Sequence, residues 1–393
     1  MKICKITVFI CMIICCFTML PTNIFAETEV EEQPIDDTLL EAISLDEITS
    51  FWNNISQEYG DFLPELTEKN LNDLIKEHGT ISVKSILKGI IKFLFYELVV
   101  NGKLLGTLMI ITIFSVILQS MHTAFENSVV SKIAYFVVYL VLIYITLNSF
   151  YLVFTYAKES IETMSSFMIA LLPLLIVLIA TFGQVITISF FHPIILFLIH
   201  ISGVLTSTFI FPLLYLSALL IIVSQLNENF KATYLADLMR TVSLSTLGMF
   251  FTIFLGVMSV QGTATAIQDG VALKTTRFIT GNFIPVIGRT LTDAADTFLS
   301  AAMLLKNAIG IVGLIIIVII AIFPALKIMV IAFIYKLAAA ILQPLGNSPV
   351  IVTLNTISKY MMYVLSCLII VTFMFFLSIV IITVASNIPL LMR

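Results

Sequence analysis

Seven charged side chains, Asp269, Lys274, Arg277, Arg289, Asp293, Asp296 and Lys306, fall in a stretch from residue 261 to 306 that lies between strongly apolar segments. A charge at the centre of a bilayer costs about 2.5–3.5 kcal/mol on insertion scales, so such groups pair, line a wet path or stay at the surface. Arg289, Asp293 and Asp296 are spaced by four and three, which sets them along one face of a helix where opposite charges neutralise each other. Gly281, Pro285 and Gly288 interrupt the same stretch. Proline has no N–H to give a helix and glycine is a weak helix former, so the spacing predicts helix, break, helix. Broken backbone survives at membrane depth where protein buries it or where it lines a cavity. Asp269, Arg277, Gly281, Pro285, Gly288, Arg289, Asp293 and Asp296 are therefore candidates for a conduit or a helix-packing site. The alternative is a loop of amphipathic helices in the interface. There Thr290 and Asp293 form a capping box and Arg289 meets lipid phosphate.

No other motif offers chemistry. There is no phosphate-binding G-x-x-x-x-G-K-[ST], since Gly102 and Lys103 are followed by Leu104, and there is no H-E-x-x-H or C-x-x-C. Four of the five cysteines lie in the first 16 residues, leaving Cys367 in an apolar segment. His192 and His200 are eight apart in apolar surroundings, a spacing that fits imidazoles bonded to neighbouring helices as well as a proton relay. The expectation is a protein that is not an enzyme, with no catalytic, cofactor-binding or metal-binding residues.

The elements that must hold the 261–306 stretch are membrane helices. The chain is 60% hydrophobic and 11% charged, whereas soluble domains run near half and a quarter. Continuous apolar runs, rather than short alternating ones, predict helices and not a barrel. Residues 104–121, 133–156, 242–262, 308–325, 327–343 and 360–386 read as spans, the pair at 308–343 pivoting near Pro324 and Lys327. The charge-free block 166–226 holds two or three more, with turns at 182–184 and 202–208. This makes an all-α polytopic membrane protein of about eight or nine transmembrane helices.

Ahead of the membrane domain, 104–393, the sequence divides into three segments. Residues 1–26 read as a signal peptide cleaved after Ala26, or else as a retained anchor. Residues 27–82 form an acidic segment. Between Glu27 and Glu77 lie 15 of the 24 acidic residues, which with the signal places it outside the cytoplasm. Phe51, Ile55, Tyr59, Phe62, Leu63, Leu66, Leu71, Leu74 and Ile75 recur there at helical spacing, as a docking surface or a cap. Residues 83–103 put Lys84, Lys88 and Lys92 on one face and Ile86, Leu87, Ile90 and Leu94 on another, the pattern of an interfacial helix or a snorkelling lead-in to the first span.

Residues 256–314, "GVMSVQGTATAIQDGVALKTTRFITGNFIPVIGRTLTDAADTFLSAAMLLKNAIGIVGL", closely resemble the signature region of the stage III sporulation protein AE family. Signal, acidic segment and many spans follow in the order seen in that family. The resemblance implies a membrane subunit of the mother cell-to-forespore channel complex required for endospore formation, a candidate permease or export-gate component. It implies residence in the mother-cell-derived membrane around the forespore, and partners that include ring-forming proteins and a separate ATPase. An autonomous secondary transporter, with Asp269, Asp293 or Asp296 coupling an ion, and a scaffold for channel rings are the alternatives.

Charge pairing in 289–296 is open to a double-mutant cycle. If the face is buried, Asp293→Asn and Asp296→Asn each lower spore formation, and removing Arg289 as well restores part of the loss. At an exposed surface such pairs are worth only ~0–1 kcal/mol. Near-normal spore counts in every single variant, with no coupling, remove the buried-pair reading.

Overall fold

A computed structural model describes residues 45–68, 70–76, 83–124, 129–181, 185–225, 231–283, 287–346 and 348–385, and of residues 68, 83, 122–124, 129, 131–132, 185–192, 261–301 and 385 the backbone alone. The signal peptide and the acidic residues up to 44 lie outside the described residues. In chain order the helices are α1 (Asp46–Tyr59), α2 (Pro64–Glu68), α3 (Leu71–Lys76), α4 (Val83–Val100), α5 (Gly102–Ala124), α6 (Val129–Ala180), α7 (Val185–Val204), α8 (Phe211–Ser224), α9 (Thr233–Phe283), α10 (Ile287–Leu342) and α11 (Pro349–Ala385). No strand occurs among the described residues.

The small helices form because their apolar residues recur on one side. Ile48, Trp52, Ile55 and Tyr59 are the buried residues of α1, and Leu63, Leu66, Leu71, Leu74 and Ile75 continue that core. Phe51 and Phe62 pack against it part-buried. In α4 the sequence expectation needs one change. Ile86, Ile90 and Leu94 turn inward, but Leu87 is 57% exposed.

Among the described residues six helices are long and apolar enough to cross a membrane: Lys84–Met121, Ile133–Ala180, Pro193–Ser224, Thr233–Val260, Ala302–Leu345 and Pro349–Val384. The difference from eight or nine comes from continuity. Two of these runs, of 48 and 44 residues, join segments that the sequence divides. At 1.5 Å per residue they reach roughly 72 and 66 Å, more than twice the ~30 Å hydrocarbon core.

Each junction has a physical cause. Between residues 156 and 166, Lys158, Glu159 and Glu162 are good helix formers, and Lys158 pairs with Glu162 one turn on at 3.7 Å. They polarise α6 without breaking it. At 202–208 the expected turn is a π-helical turn, Leu205–Ile210, that leads straight into α8. Pro212 has no N–H for the carbonyl four residues back. The helix widens just before it, and the Phe211 N–H reaches the Thr206 carbonyl.

Pro324 is the decisive junction. It lies inside α10, where it cannot donate to the Ile320 carbonyl. Ser160 of α6 donates its hydroxyl to that carbonyl at 3.0 Å. The expected pivot between 308–325 and 327–343 is therefore a continuous helix, completed by a donor 160 residues away in sequence. Residues 182–184, where another turn is expected, lie outside the described residues.

The Ser160–Ile320 bond also fixes the register of the bundle. Below it, the Tyr139 hydroxyl shares a 2.7 Å bond with Thr353 and Ser358 donates to the Ala332 carbonyl at 2.8 Å. Above it, a Cβ on Gly313 would lie 2.6 Å from Leu171 and 3.6 Å from Ile379, so α10 packs closely on α6 and α11 there. These pairings make α10 antiparallel to both α6 and α11. Helix α8 joins the lower half, where Tyr215 stacks on Phe150 at 5.6 Å and Phe211 meets Phe154 at 5.2 Å. The bundle thus has two storeys divided at Ser160 and Pro324.

Removing the Ser160 hydroxyl tests this division. Ser160→Ala leaves a buried carbonyl without a donor and destabilises the purified protein by about 1–3 kcal/mol, read as a lower melting temperature. Ser366→Ala is the control, because that hydroxyl bonds only a carbonyl of its own helix, Met362, at 2.8 Å. Equal effects of the two substitutions contradict the role given to Ser160.

Candidate functional site

The sequence candidates sit in the arms of two long helices. Asp269, Arg277 and Gly281 belong to the last third of α9, and Gly288, Arg289, Asp293 and Asp296 to the first turns of α10. Both arms extend beyond the described spans that end at Val260 and begin at Ala302. Any break is confined to residues 284–286, including Pro285, which lie outside the described residues, as do the side-chain pairings proposed for these arms.

Lys306, at the base of the α10 arm, is described in full. It is completely buried and donates from Nζ to the Thr383 carbonyl of α11 at 3.2 Å. The end of α11 thereby supplies a dipole to a cation that would otherwise be costly at this depth. The sequence shows Lys306 among the charges of the stretch but gives no sign that it is buried against the chain's last helix. His200 is exposed and Cys367 is buried and reduced. No group of three or more metal-binding side chains occurs among the described residues.

A second polar site lies at mid-height, where the small helices meet the bundle. Tyr59 of α1 stacks on Phe323 of α10 with ring centres 4.1 Å apart and planes at 4°. Phe93 of α4 meets the same ring edge-on at 4.8 Å, and Phe51 meets Phe167 of α6 at 5.4 Å. Edge-to-face and stacked rings are worth about 0.5–1.5 kcal/mol beyond their buried area.

Charges ring this aromatic clasp. Lys327 lies 4.0 Å from the Glu58 carboxylate and over the rings of Tyr156 and Phe93 at 5.3 and 6.0 Å. The Lys92 ammonium donates to the Asp61 carbonyl at 2.8 Å. Buried Glu97 accepts a bond from Asn101 Nδ2 at 3.0 Å. Burial, then the hydrogen bond and charge of Glu58, push the Tyr59 phenol above its ordinary value, so it stays protonated as the stacked partner. The clasp therefore holds helices α1–α4 against the middle of α6 and α10, beside Pro324.

These features define a class: an all-helical polytopic membrane protein whose core helices carry a polar level at mid-length. The sequence pattern of the stage III sporulation protein AE family matches residues 66–386. A relative described as stage III sporulation protein AE, from Bacillus subtilis (strain 168), is 50% identical over 365 residues, covering 93% of this chain and 91% of the relative. The chain belongs to the stage III sporulation protein AE family. No solved structure matches it.

Phe323→Ala tests the clasp. It removes the surface shared by Tyr59 and Phe93, and truncating a packed phenylalanine costs about 3–5 kcal/mol. Amide exchange in residues 46–59 should rise sharply while α11 stays protected. Unchanged exchange in α1 means that the clasp does not hold it.

Proposed function

We propose that the chain is a membrane subunit, acting as a permease or export-gate component, of the mother cell-to-forespore channel complex required for endospore formation. In this reading it is not an enzyme. It resides in the mother-cell-derived membrane surrounding the forespore, with its signal peptide removed and α1–α3 on the extracytoplasmic side. Ring-forming proteins and a separate ATPase of the same complex are its partners.

One observation supports a subunit over a protein that works alone. The apolar bundle is taller than a bilayer. A 48-residue span tilted by 40°, the upper end of the usual range, still rises about 55 Å. Large apolar side chains are exposed on both storeys: Val130, Ile133 and Tyr144 at 78%, 59% and 73% below, and Val177, Phe197 and Val260 at 60%, 63% and 67% above. One bilayer covers one storey. Apolar surface on the other calls for protein, which a multi-subunit conduit supplies. An autonomous secondary transporter would place all its exposed apolar surface in lipid, and a scaffold would hold partners without conducting.

A photo-reactive amino acid placed at Val130, Tyr144, Val177 or Phe197 in sporulating cells distinguishes these. The reading expects lipid adducts on one storey and protein adducts on the other. Lipid adducts alone on both storeys overturn it. Polar substitutions in 261–306 that block transfer into the forespore, with adducts unchanged, separate a conduit from a scaffold. Transport by the purified chain alone in liposomes favours the transporter.

A further inference from the structure

We propose that α4 is a binding surface for anionic phospholipid, fixing one face of the bilayer at the mid-height of the bundle. This inference stands apart from the channel reading, since it rests on α4 and its packing alone.

The inner face of α4 is settled by contacts. Phe93 and Glu97 are buried. A Cβ on Gly89 would lie 2.5 Å from Leu63 and 2.6 Å from the Phe62 carbonyl, so the helix backbone rests directly on the turn between α1 and α2. Ile86, Ile90 and Leu94 pack beside them.

The outer face carries a different set. Leu87, Ile91, Phe95, Leu98 and Val99 are 57%, 48%, 63%, 38% and 77% exposed. Lys84, Lys88 and Lys92 are also exposed. At 100° per residue, Lys84 and Lys88 fall within the same arc as Ile91, Phe95 and Val99, with Lys92 at its edge. No acidic residue shares that face, and Glu97 is on the buried side. An apolar face interleaved with ammonium groups, and lacking carboxylates, matches a bilayer surface bearing negative headgroups.

The two kinds of residue also follow a gradient. The lysines occupy the first three turns and the most exposed apolar groups the last two. The helix therefore enters the interface with its N-terminal half among headgroups and its C-terminal half at the acyl boundary, before α5 begins. Lys92 is additionally tied to the Asp61 carbonyl and lies 5.6 Å from the Phe62 ring centre. That leaves Lys84 and Lys88 as the principal headgroup contacts. Since Phe93 packs on Phe323, one residue before Pro324, the headgroup layer falls at the division between the storeys.

The test uses the full-length chain in nanodiscs. Trp52 is the sole tryptophan and is 2% exposed, so Phe95→Trp adds one reporter on the outer face. Its emission is quenched by brominated phosphatidylglycerol or brominated phosphatidylcholine at equal bromine content. Phosphatidylglycerol should quench more strongly, because each lysine near an anionic surface enriches the headgroup about fivefold. Lys84→Gln with Lys88→Gln should bring the ratio to about unity while quenching by both lipids persists. Equal quenching with both lysines present refutes headgroup selection. A preference that survives the double substitution assigns it elsewhere. Absence of quenching by either lipid shows that protein or water covers the face.

Discussion

A proline in the middle of a long apolar helix leaves the carbonyl four residues back without its helical donor. In this protein the Ile320 carbonyl receives its bond from Ser160. Because that donor sits midway along α6, satisfying it aligns the midpoints of α6 and α10 and sets their antiparallel register. The hydroxyl ties below and the close Gly313 contact above follow from this alignment. Phe323 and Lys327 flank Pro324 in the sequence, so the same point becomes the seat for the aromatic clasp and for Glu58.

The polar level at mid-height has two consequences that reinforce each other. It allows helices longer than a bilayer is thick, since Lys158, Glu162, Lys327 and their neighbours find hydrogen-bonding and charged partners there. It also divides the exposed apolar surface into two bands. Residues 163–180 of α6, 185–224 of the α7–α8 run, 241–260 of α9 and 360–385 of α11 carry no charge, whereas Asp237, Lys336 and Lys359 are exposed in the lower storey. Arg240 is there too, paired with Asp237 at 3.0 Å and set 5.7 Å from the Tyr363 ring centre.

Much of this was legible in the residues. The periodicity of 45–77 marks Ile55, Tyr59, Leu63, Leu66, Leu71, Leu74 and Ile75 as a packed face because local amphipathicity and burial coincide there, and Trp52, next to Phe51, belongs to the same buried face. Helical membrane character followed from hydropathy alone, and the family from the residues at 256–314. Span boundaries did not follow. Pro324 and the 202–208 segment signal breaks locally, and what cancels them is a distant hydroxyl in one case and a widened turn in the other. Charge at 158–162 likewise suggests an end of a span, although glutamate and lysine favour helix. Nor does sequence spacing show that Lys306 meets a carbonyl of the last helix. The arms that carry Arg289, Asp293 and Asp296 are helical on either side of residues 284–286, and the chemistry of their side chains rests on the sequence pattern.

The continuous length of α6 carries the two-storey architecture, and a distance between its ends measures it most directly. Val130 and Val177 are 78% and 60% exposed, which suits spin labels on cysteines introduced at both sites in a chain otherwise freed of cysteine. In one unbroken helix they stand about 70 Å apart. Pulsed dipolar spectroscopy on the reconstituted protein should return that distance. A value below about 40 Å would mean that α6 folds back near residues 158–165 into two ordinary spans, and would contradict a bundle of two storeys.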